Sequence, residues 1–275
     1  MRIKLSAQLS KNCKVAVVGL GTVGLPTAIH TSRYFDVTGF DTNLKAVRRV
    51  RRRGMQAFNR IGGHFDVYIV IVSTLLGTGG IPDPSPVQEV CGQIAEIGGQ
   101  PLVLIESTVP VGTSRAIAGK FGLSRIAVCP HRYWSEDPAR YGVVQTRVLG
   151  GMDETTLEHA RSFYTKLKVP LHVVSSLEAA ELSKIAENAY RFVQIAFAEG
   201  LKMTCDGHRL SFREVREACN SKWNVSLPEA RRGIGGHCLP KDIRYLLSLR
   251  GSALLSGAIQ TDIEYRKHLD RSTKT

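Results

Sequence analysis

The sequence predicts an α/β chain: a doubly wound parallel sheet, then a small all-helical domain organised around one long central helix. Three observations carry this. Apolar runs of strand length recur up to Ser175, separated by amphipathic stretches. Most are continuous rather than alternating, the pattern of strands covered on both faces. After Ser176 the runs stop and a long proline-free stretch begins.

The elements follow in order. "KVAVVGL", bounded by glycine, reads as the first strand, and "DVTGFD", "DVYIVIVST", "PLVLIEST" and "RIAVCP" as the next four; "TRVLGG" and "LHVVSS" complete the sheet. Helices fall at Thr22 to Tyr34, Pro86 to Ile97 and Glu154 to Leu167. "RRVRRRG", Arg48 to Gly54, ends another helix, where the helix dipole favours cations. "LEAAELSKIAENAYRFVQIAFAEGLKMTC" reads as one long helix, apolar around much of its circumference. Such a helix is buried on several sides, often against a partner chain. "SFREVREACN" is a second helix and Lys241 to Arg250 a third, with Gly251 as its stop. The closing "RKHLDRSTKT" reads as a polar, fraying end. The expected boundary puts a sheet domain at 1–176 and a helical domain at 177–275, in keeping with about 150 residues per domain.

A hydrophobic content of 43% is ample for a packed core. No apolar stretch reaches the roughly 20 residues of a membrane span, and "MRIKLSAQLSKNC" has no signal-peptide pattern. The expectation is a soluble, cytoplasmic protein without a membrane partner. The net charge of +13 favours anionic partners. These are either nucleic acid or a small phosphorylated substrate and cofactor. No aromatics interleave with the basic run, which weighs against nucleic acid. The six cysteines contain no CxxC pair, which argues against structural zinc, and nothing marks secretion, which argues against disulfides.

"VVGLGTVGLPTA" sets Gly19-x-Gly21-x-x-Gly24 between a strand and a helix, the context in which this spacing binds a dinucleotide. The sheet is therefore Rossmann-like. Gly19 permits the tight turn, Gly21 lets the backbone approach a pyrophosphate, and Gly24 lets helix and strand pack closely. With Thr22 and Val23 these glycines form the expected cofactor loop. Asp41, at the end of the second strand, stands 22 residues after Gly19 and is placed to accept from ribose hydroxyls. It would repel a 2′-phosphate, so NAD is favoured over NADP. Thr74 and Thr108 end the third and fourth strands and are either cofactor contacts or helix caps.

Lys184 and Asn188 stand four apart on one face of the long helix. If buried they need partners, and they can donate to a developing oxyanion. Their spacing is equally compatible with a solvent-facing pair. Cys238 lies in "GIGGHCLPKD", just before a helix, where the dipole and Lys241 favour a thiolate. Gly235 and Gly236 allow a substrate close to the backbone. Asp242 can orient a water or a donor, whereas His237, with no second ligand nearby, reads as structural. Cysteine and NAD together suit oxidation of an alcohol through an aldehyde, a thiohemiacetal and a thioester to an acid.

With "ESTVPVGT" and "ELSKIAENAYRFVQIAFAE", these motifs resemble, in order, the nucleotide-sugar 6-dehydrogenases, over most of residues 13 to 250. That family oxidises UDP-glucose, UDP-N-acetylhexosamines or GDP-mannose to uronic acids. The resemblance implies that Cys238 is the nucleophile. Lys184 and Asn188 steady the oxygen at the reacting carbon and line the substrate site with Gly235. Asp242 assists the water steps, and Lys241, Thr74 and Thr108 contact NAD. The long helix forms a homodimer core. The wording of the motifs leans toward the N-acetylhexosamine branch, UDP-N-acetylmannosamine or UDP-N-acetylglucosamine. Three departures stand out. The family's usual C-terminal domain has no counterpart in the sequence. Either the sequence is a fragment, a second chain supplies the domain, or the site works open and weakly. "CPHRYWSEDPARYG" places His131 where the family carries an acid, with Glu136 and Asp137 offset, so His131 is the candidate substitute base. The stretch from Arg53 to Asp66 is short. The competing readings are a non-catalytic or partner-dependent nucleotide-binding relative, a single-step hydroxyacid dehydrogenase, and a nucleic-acid binder.

Overall fold

The computed structural model describes residues 13–272. These divide into two compact units, one of residues 13–75 with 83–184, the other of 76–82 with 185–272.

The first unit holds the sheet. Its strands are β1 (Lys14–Val18), β2 (Asp36–Phe40), β3 (Gln56–Phe58), β4 (Val67–Val70), β7 (Leu102–Ile105), β8 (Ile126–Val128), β9 (Arg147–Gly151) and β10 (Leu171–Val173). Two short strands, β5 (Leu75–Leu76) and β6 (Pro82–Asp83), form a separate pair after β4. Across the large sheet the order is β10-β9-β8-β7-β4-β1-β2-β3. From β3 to β8 every pairing is parallel, as the continuous apolar runs predict.

The pairing of β8 with β9 is antiparallel, and there the fully parallel expectation is corrected. A parallel neighbour needs a crossover, usually a helix. Between Val128 and Arg147 the described chain has no helix, so β9 runs back beside β8. β10 then follows β9 in parallel after a helix. β3, only three residues long, lies at the opposite edge, within the short stretch from Arg53 to Asp66.

Helices cover both faces. α1 (Gly24–Thr31), α2 (Leu44–Arg51) and α5 (Glu154–Lys166) bury Ala28, Val47 and Phe163 against Val15, Val17 and Leu104. α3 (Ser85–Ile97) and α4 (Thr113–Phe121) bury Val87, Ile94 and Ile117 against Ala16, Val18 and Ile105. Each large aliphatic side chain so buried contributes about 1.5–3 kcal/mol. The start of α6 (Leu177–Gly207), up to Lys184, belongs here too: Glu181 accepts from Gly112 N at 2.6 Å and Ser114 N at 2.8 Å, capping α4 from outside.

The second unit is helical. It contains the rest of the 31-residue α6, then α7 (Phe212–Asn220), α8 (Cys238–Leu249) and α9 (Ala253–Ser272). Phe192 and Ala196 of α6, Ile243 of α8, and Leu255 and Ala258 of α9 pack around Ile234 in one core. α8 starts earlier than expected, at Cys238 itself, because Pro240 is tolerated within a first turn. The frayed C-terminus is also corrected. α9 continues to Ser272 because Leu255, Ala258, Asp262 and Tyr265 return to one buried face. Residues 273–275 lie outside the described residues.

α6 and α9 enclose a carboxyl group. Glu199 is 0% exposed, and neither of its oxygens is hydrogen-bonded among the described residues. Burial, then the charge of Asp262, pushes it up to about 7, against the pull of Arg266. An acid whose folded value is raised favours the fold while protonated. It withdraws that stability as pH climbs from the unfolded value of 4.5 through about 7. Glu199→Gln is therefore expected to leave the unfolding free energy near wild type at pH 5 and raise it by about 1–3 kcal/mol at pH 8.5. Urea titrations at the two pH values check this, and an equal effect at both would contradict it.

Candidate active site

The cofactor loop begins with a steric requirement. Gly19 has φ +96°, and a Cβ there would lie 2.2 Å from the Ile71 carbonyl oxygen. A Cβ on Gly24 would sit 1.8 Å from the Gly19 carbonyl oxygen. Strand, turn and helix can meet only without those side chains. A Cβ on Gly21 would meet nothing within 4 Å, so the middle glycine faces open space. Thr22 and Val23 complete the turn, and α1 begins at Gly24, so the positive end of the helix dipole lies at the loop.

Asp41 ends β2 as predicted, and its carboxylate already works for the loop. It accepts from Leu20 N at 2.7 Å and Asn43 N at 2.8 Å, while the Arg49 guanidinium donates to Leu20 O at 2.8 Å. Each carboxylate oxygen keeps a second lone pair for a ribose hydroxyl. Thr74 and Thr108 come together in the loops that follow β4 and β7, where the Thr74 hydroxyl donates to Thr108 O at 2.6 Å. Open face, aligned helix start and strand-end acid fit a dinucleotide.

Near this loop His131 belongs to a cluster whose other members, Glu106, Arg147 and Tyr164, sequence reasoning missed. Glu106, just beyond β7 and 2% exposed, accepts from Tyr164 Oη at 2.6 Å and pairs with Arg147 Nη1 at 3.0 Å. It also touches His131 Nε2. Burial would raise its carboxyl, but Arg147, His131 and the Tyr164 hydroxyl hold it down to about 2. Burial and Arg147 drive His131 down to about 4 against the pull of Glu106, so the imidazole is neutral. The Thr27 hydroxyl donates to Val23 O at 3.0 Å, which makes Nε2–H of His131 the donor toward Thr27 Oγ1, also at 3.0 Å. His131 Nδ1 is buried and takes no hydrogen bond among the described residues. The offset acids stand elsewhere: Glu136 is exposed, and Asp137 accepts from Arg140 N at 3.2 Å within its own turn. The visible signal for the cluster was an acid directly after an apolar run, in "PLVLIES".

In the helical unit α6 and α8 meet through charge. Asn188 Nδ2 donates to Asp242 Oδ2 at 2.5 Å. Lys241 pairs with Asp242 Oδ1 and lies 4.0 Å from the centroid of the Tyr245 ring. Lys241 is 7% and Asp242 1% exposed, so Asp242 is sealed inside its partners. Lys184 falls in the sheet unit, partly buried, and its charge reaches His131.

The cysteines separate by environment. Cys13, Cys91, Cys129 and Cys205 are buried. Burial first of all pushes Cys13 up to about 11 and Cys91 and Cys129 up to about 12, so these three stay thiols. Cys219 is partly covered, and Cys238, the first residue of α8, is exposed. Gly235 beside it has open space at its Cα, Gly236 has φ +76°, and His237 is exposed. Among the described residues no group of three His, Cys, Asp or Glu can hold a metal ion, and no helix is long and apolar enough to cross a membrane.

The fold is that of the Rossmann-like dehydrogenases. Residues 178–261 match the UDP-glucose/GDP-mannose dehydrogenase family, central domain. The chain is 29% identical over 268 residues to the UDP-N-acetyl-D-mannosamine dehydrogenase of Pyrococcus horikoshii, covering 86% of this chain and 64% of the relative. It is 30% identical over 265 residues to an NDP-N-acetyl-D-galactosaminuronic acid dehydrogenase of Ralstonia nicotianae, covering 83% and 63%. A solved UDP-D-ManNAc dehydrogenase structure from Pyrococcus horikoshii superposes with a TM-score of 0.82 at 29% identity, over 92% of this chain and 68% of that one. The chain is thus similar to nucleotide-sugar dehydrogenases, and it spans just under two thirds of the length of these curated proteins.

Proposed function

We propose that the chain carries the NAD and catalytic portions of a nucleotide-sugar 6-dehydrogenase acting on a UDP-N-acetylhexosamine, with UDP-glucose or GDP-mannose as the other members of the substrate class. The observation that carries this is the pairing of one exposed cysteine at a helix start with the buried Lys241 and Asp242 in the same helix, to which Asn188 of α6 donates. The relatives' names supply the substrate class. Gly19, Gly21, Thr22, Val23, Gly24 and Asp41 hold NAD, with Thr74, Thr108 and Lys241 as further contacts. Lys241 spends one of its three donors on Asp242. Acceptance of hydride, once per oxidation, is the chemistry NAD supplies when bound.

The protein's own steps are these. Lys184 and the free N–H of Asn188 donate to the oxygen at the reacting carbon, stabilising the charge that develops there. After the first oxidation the Cys238 sulfur bonds to the aldehyde carbon, and its proton passes to the oxygen. The second oxidation converts this thiohemiacetal to a thioester. Water, positioned by Asn188 and Lys241, which Asp242 holds in place, then breaks the C–S bond and restores the thiol. One alcohol and one water give one carboxylate, two hydrides and three protons. We assign the reaction to the cytoplasm, where nucleotide sugars and NAD are found.

We further propose a homodimer through α6. Tyr190 and Phe197, seven residues apart on one helix face, are 66% and 62% exposed, which is unusual for large rings. Tyr190→Asp with Phe197→Asp should give a monomer in sedimentation velocity where wild type sediments as a dimer; an unchanged sedimentation coefficient would refute that face. A second chain supplying a nucleotide-closing domain is the partner-dependent form of the same reading.

The activity is tested by counting NADH per sugar consumed across a panel of UDP- and GDP-sugars. Two NADH per sugar are expected, falling to background in Cys238→Ser. One NADH per sugar, with Cys238→Ser fully active, would replace this reading with a single-step dehydrogenase. Bound NAD with no turnover on any sugar would favour the non-catalytic relative.

A further inference from the structure

Four residues before Cys238 the chain is gripped by α9. Asp262 Oδ1 accepts from Ile234 N at 2.7 Å, and Arg266 Nη2 donates to Ile234 O at 2.7 Å. One residue is thus held at both ends of its own backbone by two side chains one helical turn apart. Arg266 Nε also donates to Asp262 Oδ2 at 3.0 Å, so the two jaws fix one another. The Tyr265 hydroxyl donates to Arg231 O at 2.8 Å, a third anchor on the same segment. Gly233 is shaped for this: its φ is +86°, and a Cβ there would lie 2.8 Å from the Arg266 guanidinium carbon. The Ile234 side chain is 3% exposed in the helical core, so core packing fixes one side and charge the backbone. The buried Glu199 lies within the field of both jaws. Beyond this grip only Gly235, Gly236 and His237 separate the anchor from the cysteine.

We infer that Asp262 and Arg266 are positioning residues that set where Cys238 stands, through Ile234. The inference rests on the reading of Cys238 as nucleophile. Two glycines in the tether make the grip necessary, since without it the loop has wide backbone freedom. Charge-assisted bonds are the strong kind, and here both backbone groups of one residue receive them.

The test uses the full chain and three variants: Arg266→Ala, Arg266→Lys and Asp262→Asn. Arg266 is substantially exposed, with a side-chain exposure of 45%, so its replacement leaves no buried void. Three readouts are compared: amide hydrogen exchange by segment, the alkylation rate of Cys238 by iodoacetamide resolved by mass, and kcat with KM. In Arg266→Ala, exchange over 231–238 should rise about tenfold or more, with the helices unchanged, and Cys238 alkylation should rise severalfold. kcat should fall about tenfold or more while KM for NAD stays within about threefold. Arg266→Lys, which keeps the charge on Asp262 but not the fork, should recover part of each effect. A purely structural role would lower the melting temperature and raise exchange everywhere, and that result would overturn the inference. So would unchanged exchange over 231–238 in all three variants, or loosened exchange with kcat unaltered. If wild type has no turnover, the nucleophile reading fails on its own. Exchange and alkylation then still decide whether the grip holds the cysteine. Should Arg266→Ala fail to fold, Arg266→Lys and Asp262→Asn carry the same comparison.

Discussion

The helical unit depends on a carboxylate that cannot stand alone. Asp242 is sealed from water and carries a charge whose burial costs several kcal/mol without compensation. Lys241 supplies the countercharge from the next position, and Asn188 supplies a neutral donor from α6. Removing one partner from a buried pair of this kind costs about 3–5 kcal/mol. The constraint is therefore also a fastening between α6 and α8. It fixes the first turn of the helix whose first residue is Cys238. In the proposed reaction, chemistry and fold share one set of side chains here.

The sheet unit solves a similar problem differently. Glu106, Arg147, Tyr164 and His131 are all nearly buried, and their formal charges cancel once His131 is neutral. Arg147 starts β9, Glu106 follows β7 and His131 follows β8, so the cluster ties together the strand ends around the antiparallel turn in the sheet. That assignment weakens His131 as a simple replacement for an acid base. Its basicity is suppressed and its Nε2–H is committed to Thr27 and Glu106. What remains is a buried, unpaired Nδ1, an acceptor rather than a strong base.

Much of this was legible in the sequence, for physical reasons. Gly19 and Gly24 were readable because sterics leave no other residue for those positions. The long α6 was readable because proline and strand patterning are both absent from it. The direction of β9 was not, since a buried strand has the same apolar pattern whichever way it runs. α9 was misread through its polarity. Its buried positions, Leu255, Ala258, Asp262 and Tyr265, include an acid and a tyrosine, so a scan for apolar periodicity passes over them. Lys184 and Asn188 were found from a spacing of four, but the partner of Asn188 lies 54 residues away and only folding reveals it. The grip on Ile234 is similarly non-local, joining positions 28 and 32 residues apart.

The central claim is that Cys238 forms a covalent bond with the oxidised sugar. It is tested most directly by intact-protein and peptide mass spectrometry of the chain quenched in acid during turnover with NAD and UDP-N-acetylmannosamine, and with the other panel sugars. The account predicts a wild-type adduct of the sugar nucleotide less four hydrogens, a thioester, mapped to the peptide holding Cys238 and absent from Cys238→Ser. Steady NADH formation with no adduct on that peptide, or an adduct on another cysteine, would contradict it.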